Sequence, residues 1–425
     1  MACSVSLTHA ALLNILPESV EAEAWIILDP QSKQVIAEHN SHVQRAPASL
    51  TKMMVAYITL QEIHAGRLKM SDVLTAPHMV TSVMSDESQM KLNVGEQITV
   101  DRLLAGLIIM SANDAALTLG EHISGSTPQF VARMNQEAQK LGMKDTHFSN
   151  PSGITMADHY STAHDLALLS EAVALQTPEY LTYSKQQSFA HADILHHATN
   201  LLLQQDPSVD GLKTGFTKAA GYNLALTAHR PAYHLNLQDR RLIVVVLGTK
   251  SALKRADVAH RLMNLAYSYT RDELAIQNKQ ILAEVPVIKS SLRMFTVEAQ
   301  QSQLITTSLY SHANPIDLKS FDMPSQRIML MDENQVLQKL EPLTETKVHM
   351  NIEMKQKKLI APVEKVMQLA TIHVYQNDQF ITSFPIEENV HIEEANIFER
   401  LMIWVKGLFG FIADESFKTY PLSRG

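Results

Sequence analysis

The order of apolar patterns along the chain restricts its fold more than any other feature of the sequence. A long block with helical spacing of Leu, Met, Ile and Ala is flanked at both ends by short β-rich runs. Residues 24–38 predict strand, turn and strand, because Pro30 and polar neighbours separate two apolar stretches. Residues 222–228 and 241–247 predict two adjacent antiparallel strands. Strands on both sides of a helical block predict an α+β fold.

The helical pattern ends near Thr270, where short alternating segments begin. Residues 348–352 and 370–375 are examples, and no long helical pattern lies among them. We therefore predict a first domain over residues 14–272 and an all-β sandwich domain over residues 273–390. The segments with helical spacing in the first domain are 49–64, 100–123, 128–141, 162–175 and 252–269.

Composition excludes several classes of protein. A chain of 425 residues with 45% apolar and 19% charged residues is globular, and its length predicts at least two structural units. Forty-four acidic against 36 basic residues argue against nucleic acid as a partner. The single cysteine, Cys3, excludes an intrachain disulfide and a thiolate zinc site. Without a His-Glu-x-x-His or glycine-rich phosphate motif, we predict no metal and no cofactor.

Both ends of the chain carry mildly apolar segments. Residues 1–13 resemble a truncated signal segment without its basic region, and a disordered cytosolic N-terminus is the alternative. Residues 397–412 hold eleven large apolar residues and three charges. A helix of that length is about 24 Å long, which is too short to span a bilayer. We predict that residues 391–425 form an amphipathic membrane-anchor helix and tail; the alternative is a helix docked on the protein's own core.

Three short motifs could carry chemistry: Ser-Leu-Thr-Lys at 49–52, Ser-Ala-Asn at 111–113 and Lys-Thr-Gly at 213–215. Ser-x-x-Lys alone means little, because it occurs again at 251–254. The three motifs in this order are far more specific than any one of them.

Ser49 and Lys52 have the spacing of a nucleophile and its base. At the start of a helix they share one face, so the amine can reach the hydroxyl. Burial beside Met53 and Met54, with Lys213 as a second cation, would lower the pKa of Lys52 and favour the neutral amine. Helix N-terminal N–H groups could stabilise an oxyanion. The alternative role of Ser49 is an ordinary N-cap.

The other two motifs could bind a substrate. Ser111 and Asn113 follow an apolar run and are expected in a loop between buried helices, where they can relay a proton and orient a peptide bond. A serine cap and a turn are the alternative. Lys-Thr-Gly opens a strand, where Gly215 lets an extended peptide lie against the edge. A plain turn is the alternative there.

These motifs resemble those of low-molecular-mass penicillin-binding proteins, the serine D-alanyl-D-alanine carboxypeptidases of peptidase family S11 similar to penicillin-binding proteins 5 and 6. The resemblance covers most of residues 24–270 closely and is looser thereafter. It implies a β-lactamase/transpeptidase-like catalytic domain, a trailing β domain and a C-terminal anchor. The segments that carry it are 45–54, 111–115, 149–153 and 210–217.

The resemblance implies a covalent mechanism. Ser49 would be acylated by the penultimate D-Ala carbonyl of a peptidoglycan stem peptide, with Lys52 as base. Ser111 would pass the proton to the leaving amine, and Asn113 would hold Lys52 and the substrate amide. The backbone N–H groups of Ser49 and Phe216 would form the oxyanion hole. β-Lactam antibiotics would trap the same serine.

The resemblance also implies how the substrate is bound. Lys213 and Thr214 would bind its terminal carboxylate beside Gly215, and Arg255 resembles a family arginine near that carboxylate. Phe216 departs from the family pattern, because some relatives carry His there, and residues 229–239 lengthen a hairpin.

The implied location is the periplasmic face of the bacterial inner membrane, bound peripherally through the C-terminal helix. Two other functions remain open. A β-lactamase of the same fold would need a deacylating carboxylate near the site, and no Glu is obvious in the expected loop. A catalytically silent wall-binding scaffold would keep the fold alone, although every catalytic position is intact.

Overall fold

The computed structural model divides the chain into two compact units. The first contains Leu13–Tyr269 together with the described segment 315–321, and the second contains the strands from Thr270 onward. The structure describes residues 11–192, 194–231, 239–309, 315–321, 347–408, 417–420 and 422. Most of the possible signal segment, the centre of the lengthened hairpin and residues 409–416 therefore lie outside the described residues.

The first unit alternates strands and helices. It begins with β1 (Ala24–Asp29), β2 (Gln34–His39), a 3-10 turn (Ala48–Thr51) and α1 (Lys52–His64). There follow β3 (Val73–Thr75), β4 (Gln97–Thr99), α2 (Val100–Ile109), α3 (Asn113–Ser124), α4 (Thr127–Lys140), α5 (Ala163–Gln176) and α6 (Tyr180–Ser184). The last elements are β5 (Ser188–His191), β6 (Ile194–His197), β7 (Val209–Thr217), β8 (Gly221–Arg230), β9 (Arg240–Thr249) and α7 (Ala252–Tyr269).

One antiparallel sheet, in the order β2-β1-β9-β8-β7, organises this unit. Val245 of the central strand β9 pairs with Ile26 on one side and Ala225 on the other. Helix α5 packs on β1 and β9, and α7 packs on β8 and β9. Alternate side chains of β9 point to opposite faces, and those of both faces are buried. Strand β7 lies at the edge, where an extended ligand could be added.

Helix α1 runs through the middle of the helical part of the first unit. It contacts α2, α3, α4, α5 and α6, and nearly all of its residues are buried. A helix that is buried on nearly all sides belongs to the core. Lys52 is the first residue of α1, so its side chain starts from a position that water does not reach.

The second unit is built from strands up to Ile392. Its elements are β10 (Thr270–Ile276), β11 (Ile281–Ile288), β12 (Met294–Glu298), β13 (Gln303–Ser308), β14 (Val348–Met354), β15 (Leu359–Ile360), β16 (Val363–Gln376), β17 (Gln379–Ile392), α8 (Ile397–Leu408) and β18 (Lys418–Thr419). β10 pairs with β13, β16 pairs with both β14 and β17, and β11 pairs with β12, β15 and β18. The β11–β15 pair is parallel and the other pairs are antiparallel.

The predicted α+β fold is confirmed, with local corrections. The helix predicted over 100–123 is broken, because Ser111 adopts a left-handed φ of 66° between α2 and α3. The short helix α6 and the β5–β6 hairpin were not predicted, since both are brief and carry no clear periodicity. In the described part of the chain, no helix combines the length and apolar character needed to cross a bilayer.

Candidate active site

Ser49 and Lys52 meet at the junction between the 3-10 turn and α1. The Lys52 Nζ atom donates a hydrogen bond to Ser49 Oγ at 3.0 Å and to the backbone carbonyl of Ser152 at 2.5 Å. Lys52 is only 1% exposed. The predicted contact between amine and hydroxyl is therefore present, but Ser49 lies in the turn that precedes the α-helix.

The surroundings of Lys52 favour its neutral form. Burial lowers the pKa of Lys52 well below the ordinary value, and the positive charge of Lys213 lowers this pKa further. The carboxylates of Glu87 and Asp114 act in the opposite direction and offset part of the effect. A neutral amine in contact with a serine hydroxyl can accept its proton, which is the requirement for a lysine general base.

Ser111 and Asn113 occupy the short link between α2 and α3. The hydroxyl of Ser111 is buried and finds no hydrogen-bond partner among the described residues. Asn113 is the first residue of α3, and its Nδ2 atom donates to Glu87 Oε2 at 2.6 Å. In this structure the Asn113 Nδ2 group is hydrogen-bonded to Glu87, and the Lys52 amine is hydrogen-bonded to Ser49 and to the Ser152 carbonyl.

The segment that carries Glu87 is tied to the start of α3. Asp114 accepts hydrogen bonds from the backbone N–H groups of Met90 and Leu92, at 2.9 and 3.0 Å. The backbone N–H of Asn113 donates to the Ser88 carbonyl at 2.7 Å. These bonds hold the segment against the link that presents Ser111.

Lys213 and Thr214 lie on the edge strand β7. The buried Lys213 Nζ atom donates to the Thr214 carbonyl at 2.9 Å, and burial together with the charge of Arg255 lowers the pKa of Lys213 to about 7. The Thr214 hydroxyl is hydrogen-bonded to the Thr199 hydroxyl, and Arg255 donates to the Thr199 carbonyl at 3.0 Å. Lys213 and the Thr214 hydroxyl on this edge, with Arg255 of α7 behind Thr199, provide the donors and positive charge that an anion site requires.

Two glycines allow the backbone to close around Ser49. A Cβ atom at Gly215 would lie 3.0 Å from the Ser49 amide nitrogen and 2.9 Å from the Leu50 side chain. A Cβ atom at Gly153, where φ is 84°, would lie 2.0 Å from the Ala48 carbonyl oxygen. Neither position has room for a side chain. Strand β7 therefore passes directly beside the Ser49 N–H group.

Phe216 and Arg255 both lie beside Tyr222 of β8. Phe216 is 50% exposed, and its ring centre lies 4.3 Å from that of Tyr222 on β8. The guanidinium of Arg255 lies 5.8 Å from the centre of the same Tyr222 ring. Phe216 therefore presents an apolar rim beside the edge of β7 that carries Lys213 and Thr214.

A cavity of about 240 Å³ lies beside Glu87, the hydrogen-bond partner of Asn113. It is lined by Ser85, Glu87, Ser88, Gln89, Lys91, Met110, His196 and His197. Glu87 contacts the Ser-Ala-Asn motif through Asn113, so the cavity extends the candidate site between the segment around residue 87 and the unpredicted β5–β6 hairpin.

Sequence reasoning missed three participants in the site: Glu87, the Ser152 carbonyl and Thr199. Ser152 and Gly153 lie in the 149–153 segment that carried the family resemblance, so the sequence held a signal for them. Glu87 and Thr199 belong to no motif, and only the folded chain brings them to the site.

Comparison with known proteins identifies the family. The model of the D-alanyl-D-alanine carboxypeptidase family, peptidase S11, matches residues 11–251. The chain belongs to this family. It is 30% identical over 391 residues to D-alanyl-D-alanine carboxypeptidase DacD of Salmonella typhimurium, covering 91% of this chain and 90% of the relative. It is 36% identical over 265 residues to DacC of Escherichia coli K12, covering 61% and 64%.

Solved structures agree with this membership. Penicillin-binding protein 5 from Haemophilus influenzae superposes with a TM-score of 0.73 at 26% identity, covering 89% of this chain and all of that chain (100%). Penicillin-binding protein D2 from Listeria monocytogenes, solved in its ampicillin-bound form, gives a TM-score of 0.51 at 30% identity and covers 58% and 98%. The predicted family and transpeptidase-like fold are confirmed.

Proposed function

We propose that this chain is a serine D-Ala-D-Ala carboxypeptidase that removes the terminal D-alanine from peptidoglycan stem pentapeptides. One observation carries the proposal. A buried lysine amine with a strongly lowered pKa lies 3.0 Å from the hydroxyl of Ser49. Family membership names the chemistry, and this pair supplies its nucleophile and base.

The reaction proceeds in two steps. Ser49 Oγ attacks the penultimate D-Ala carbonyl while Lys52 accepts the hydroxyl proton, and the oxyanion forms beside the Ser49 N–H and strand β7. The peptide C–N bond breaks, and the D-Ala amine leaves with a proton passed through the buried hydroxyl of Ser111. Water then adds to the ester, Ser49 regains its proton, and the shortened peptide leaves as a carboxylate.

The edge of β7 recognises the terminal carboxylate of the substrate. Lys213 has a pKa of about 7 in the free protein, so an arriving carboxylate stabilises its protonated form. The Thr214 hydroxyl adds a donor, and Arg255 contributes a second positive charge behind Thr199. The peptide backbone lies beside Gly215, and Phe216 covers the rim.

Binding of β-lactam antibiotics follows from the same geometry. A β-lactam presents a strained amide carbonyl to Ser49 and a carboxylate to Lys213 and Thr214. The test is intact-protein mass spectrometry after incubation with benzylpenicillin, together with D-Ala release from a diacetyl-Lys-D-Ala-D-Ala peptide. We expect a persistent single adduct and release of D-Ala. Rapid penicillin turnover without an adduct would favour the β-lactamase alternative. If the protein neither formed an adduct nor released D-Ala, the silent scaffold would be favoured.

We propose that the enzyme works outside the cytoplasm, at the periplasmic face of the inner membrane, and binds the membrane peripherally through α8. The first turn and a half of α8 exposes apolar side chains. Ile397 and Phe398 are 83% and 81% exposed, and Leu401 and Met402 are 54% and 56% exposed. Apolar side chains on a short terminal helix are suited to a bilayer interface.

Charged substitutions on α8 are expected to release the protein from membranes. Phe398→Asp combined with Leu401→Asp places charges where acyl chains would be contacted, so the fraction that sediments with phosphatidylglycerol-containing vesicles should fall about tenfold. Point variants are preferable to truncation at residue 397, because β18 lies beyond α8 and pairs with β11. Val366→Asp, at an exposed apolar position of β16, is the control. Equal sedimentation of all three proteins would contradict the anchor.

A further inference from the structure

Glu87 contacts the catalytic motif from outside it. Its carboxylate accepts a hydrogen bond from Asn113 Nδ2 at 2.6 Å, the short distance expected of a charged acceptor. The backbone around Glu87 is held in place independently, by Asp114 on the N–H groups of Met90 and Leu92. The Glu87 side chain therefore contacts Asn113 from a backbone segment that other hydrogen bonds hold in place.

The carboxylate determines which way the Asn113 amide faces. An ionised carboxylate only accepts hydrogen bonds, so Asn113 must turn its NH₂ group toward Glu87. The amide oxygen of Asn113 is then left to accept a hydrogen bond elsewhere. With a neutral or absent partner at position 87, the amide would be free to rotate by 180° and exchange these two roles.

We propose that Glu87 is a positioning residue of the serine–lysine site. It orients the Asn113 amide, and it supplies a negative charge that offsets the effect of the Lys213 cation on Lys52. The proposal rests on the proposed function for its effect on catalysis. Its effect on Lys52 itself can be measured whether or not the chain is a carboxypeptidase.

Several charged groups face Lys52 and Glu87. Lys213 on β7 lowers the pKa of Lys52, whereas Glu87 and Asp114 raise it, and His159 is a further titratable neighbour. Burial lowers the pKa of His159 to about 4, so this ring is neutral near pH 7. The groups that face Glu87 across the adjoining cavity are Lys91, His196 and His197.

Of the two carboxylates that raise the pKa of Lys52, Glu87 can be replaced without breaking hydrogen bonds to the backbone. Both oxygens of Asp114 accept backbone N–H groups, so its replacement would release the segment around residue 90. Removing the charge of Glu87 destabilises the ammonium form of Lys52. The pKa of Lys52 should therefore fall, and the neutral amine should persist to lower pH.

The test compares Glu87→Gln, Glu87→Ala and a matched control, Glu96→Gln. Glu96 also accepts a hydrogen bond from an asparagine side chain, Asn93, on the same stretch of chain, and it is not among the charges that act on Lys52. The direct readout is the titration of [ε-¹³C]lysine by NMR, with the Lys52 signal assigned by its loss in Lys52→Arg. The second readout is the pH profile of kcat/KM for acylation by benzylpenicillin.

We expect the pKa of Lys52 to fall by about one unit in both Glu87 variants and to stay unchanged in Glu96→Gln. The acid limb of the acylation profile should move to lower pH by the same amount. Gln can still accept the Asn113 hydrogen bond and Ala cannot, so the plateau of kcat/KM should fall about tenfold in Glu87→Ala and less in Glu87→Gln.

An unchanged Lys52 pKa in Glu87→Gln would overturn the electrostatic role. Equal plateaus in Glu87→Ala and the wild type would overturn the orienting role. If the wild type is not acylated while the Lys52 signal still shifts, the proposed carboxypeptidase function fails and the coupling of Glu87 to Lys52 stands.

Discussion

Replacing Ser49 with Ala is expected to abolish labelling by benzylpenicillin and to lower kcat/KM for D-Ala release by about 10⁴-fold or more. The variant loses the only atom to which the acyl group would be attached. It keeps the surroundings of Lys52, whose second hydrogen bond goes to the Ser152 carbonyl. The methyl group of Ala fits the same 3-10 turn, so the fold should be retained. Intact-protein mass spectrometry and a D-Ala release assay measure both effects.

The chain carries its own control for this experiment. Ser251 is the serine of the second Ser-x-x-Lys sequence, but its hydroxyl accepts the backbone N–H of Lys254 at 3.1 Å, as a helix cap does. Ser251→Ala should cost about 1 kcal/mol of stability and keep full labelling. Undiminished D-Ala release by Ser49→Ala would show that another nucleophile performs the reaction.

Replacing Lys52 with Arg is expected to lower the rate of acylation by about 10³-fold. Arginine keeps much of the length, but its guanidinium stays protonated near neutral pH and so cannot act as the base. Lys254→Arg, at the exposed lysine of the second Ser-x-x-Lys sequence, should leave the rate unchanged. Stopped-flow measurement of acylation by a chromogenic β-lactam tests both variants.

The wild-type pH profile should have two limbs of opposite sign. Lys52 acts when it is neutral, so kcat/KM rises with pH as this amine, whose pKa is lowered by burial, loses its proton. Lys213 binds the substrate carboxylate when it is protonated, so kcat/KM falls above about pH 7, the pKa of this amine in the free protein. If Lys52→Arg kept both the wild-type acylation rate and the acid limb of the wild-type pH profile, Lys52 would be excluded as the base.

The part of the site that the sequence predicted depends on local spacing. Ser49 and Lys52 are three residues apart, and any helical turn brings such a pair to one face, so their contact needed no knowledge of the fold. The strands 222–228 and 241–247 were also correctly predicted as neighbours, because their β-rich runs are close in the sequence. The lowered pKa of Lys52 followed from the apolar residues around it.

The contacts that the sequence missed join residues far apart in the chain. Asn113 reaches Glu87 across 26 positions, and Lys52 reaches the Ser152 carbonyl across 100. No periodicity relates such pairs. The amide of Asn113 illustrates the consequence, since no pattern in the sequence pointed to its hydrogen bond with the Glu87 carboxylate.

By itself, the sequence determined the α+β class, the three motifs and the chemical types available to them, because helical and strand periods and short spacings are properties of local backbone geometry. Only the tertiary structure decided how deeply Lys52 is buried, which partner Asn113 binds and how closely β7 approaches Ser49. These depend on the packing of α1 among its neighbouring helices and of glycines against backbone, which are relations between distant segments that no local pattern encodes.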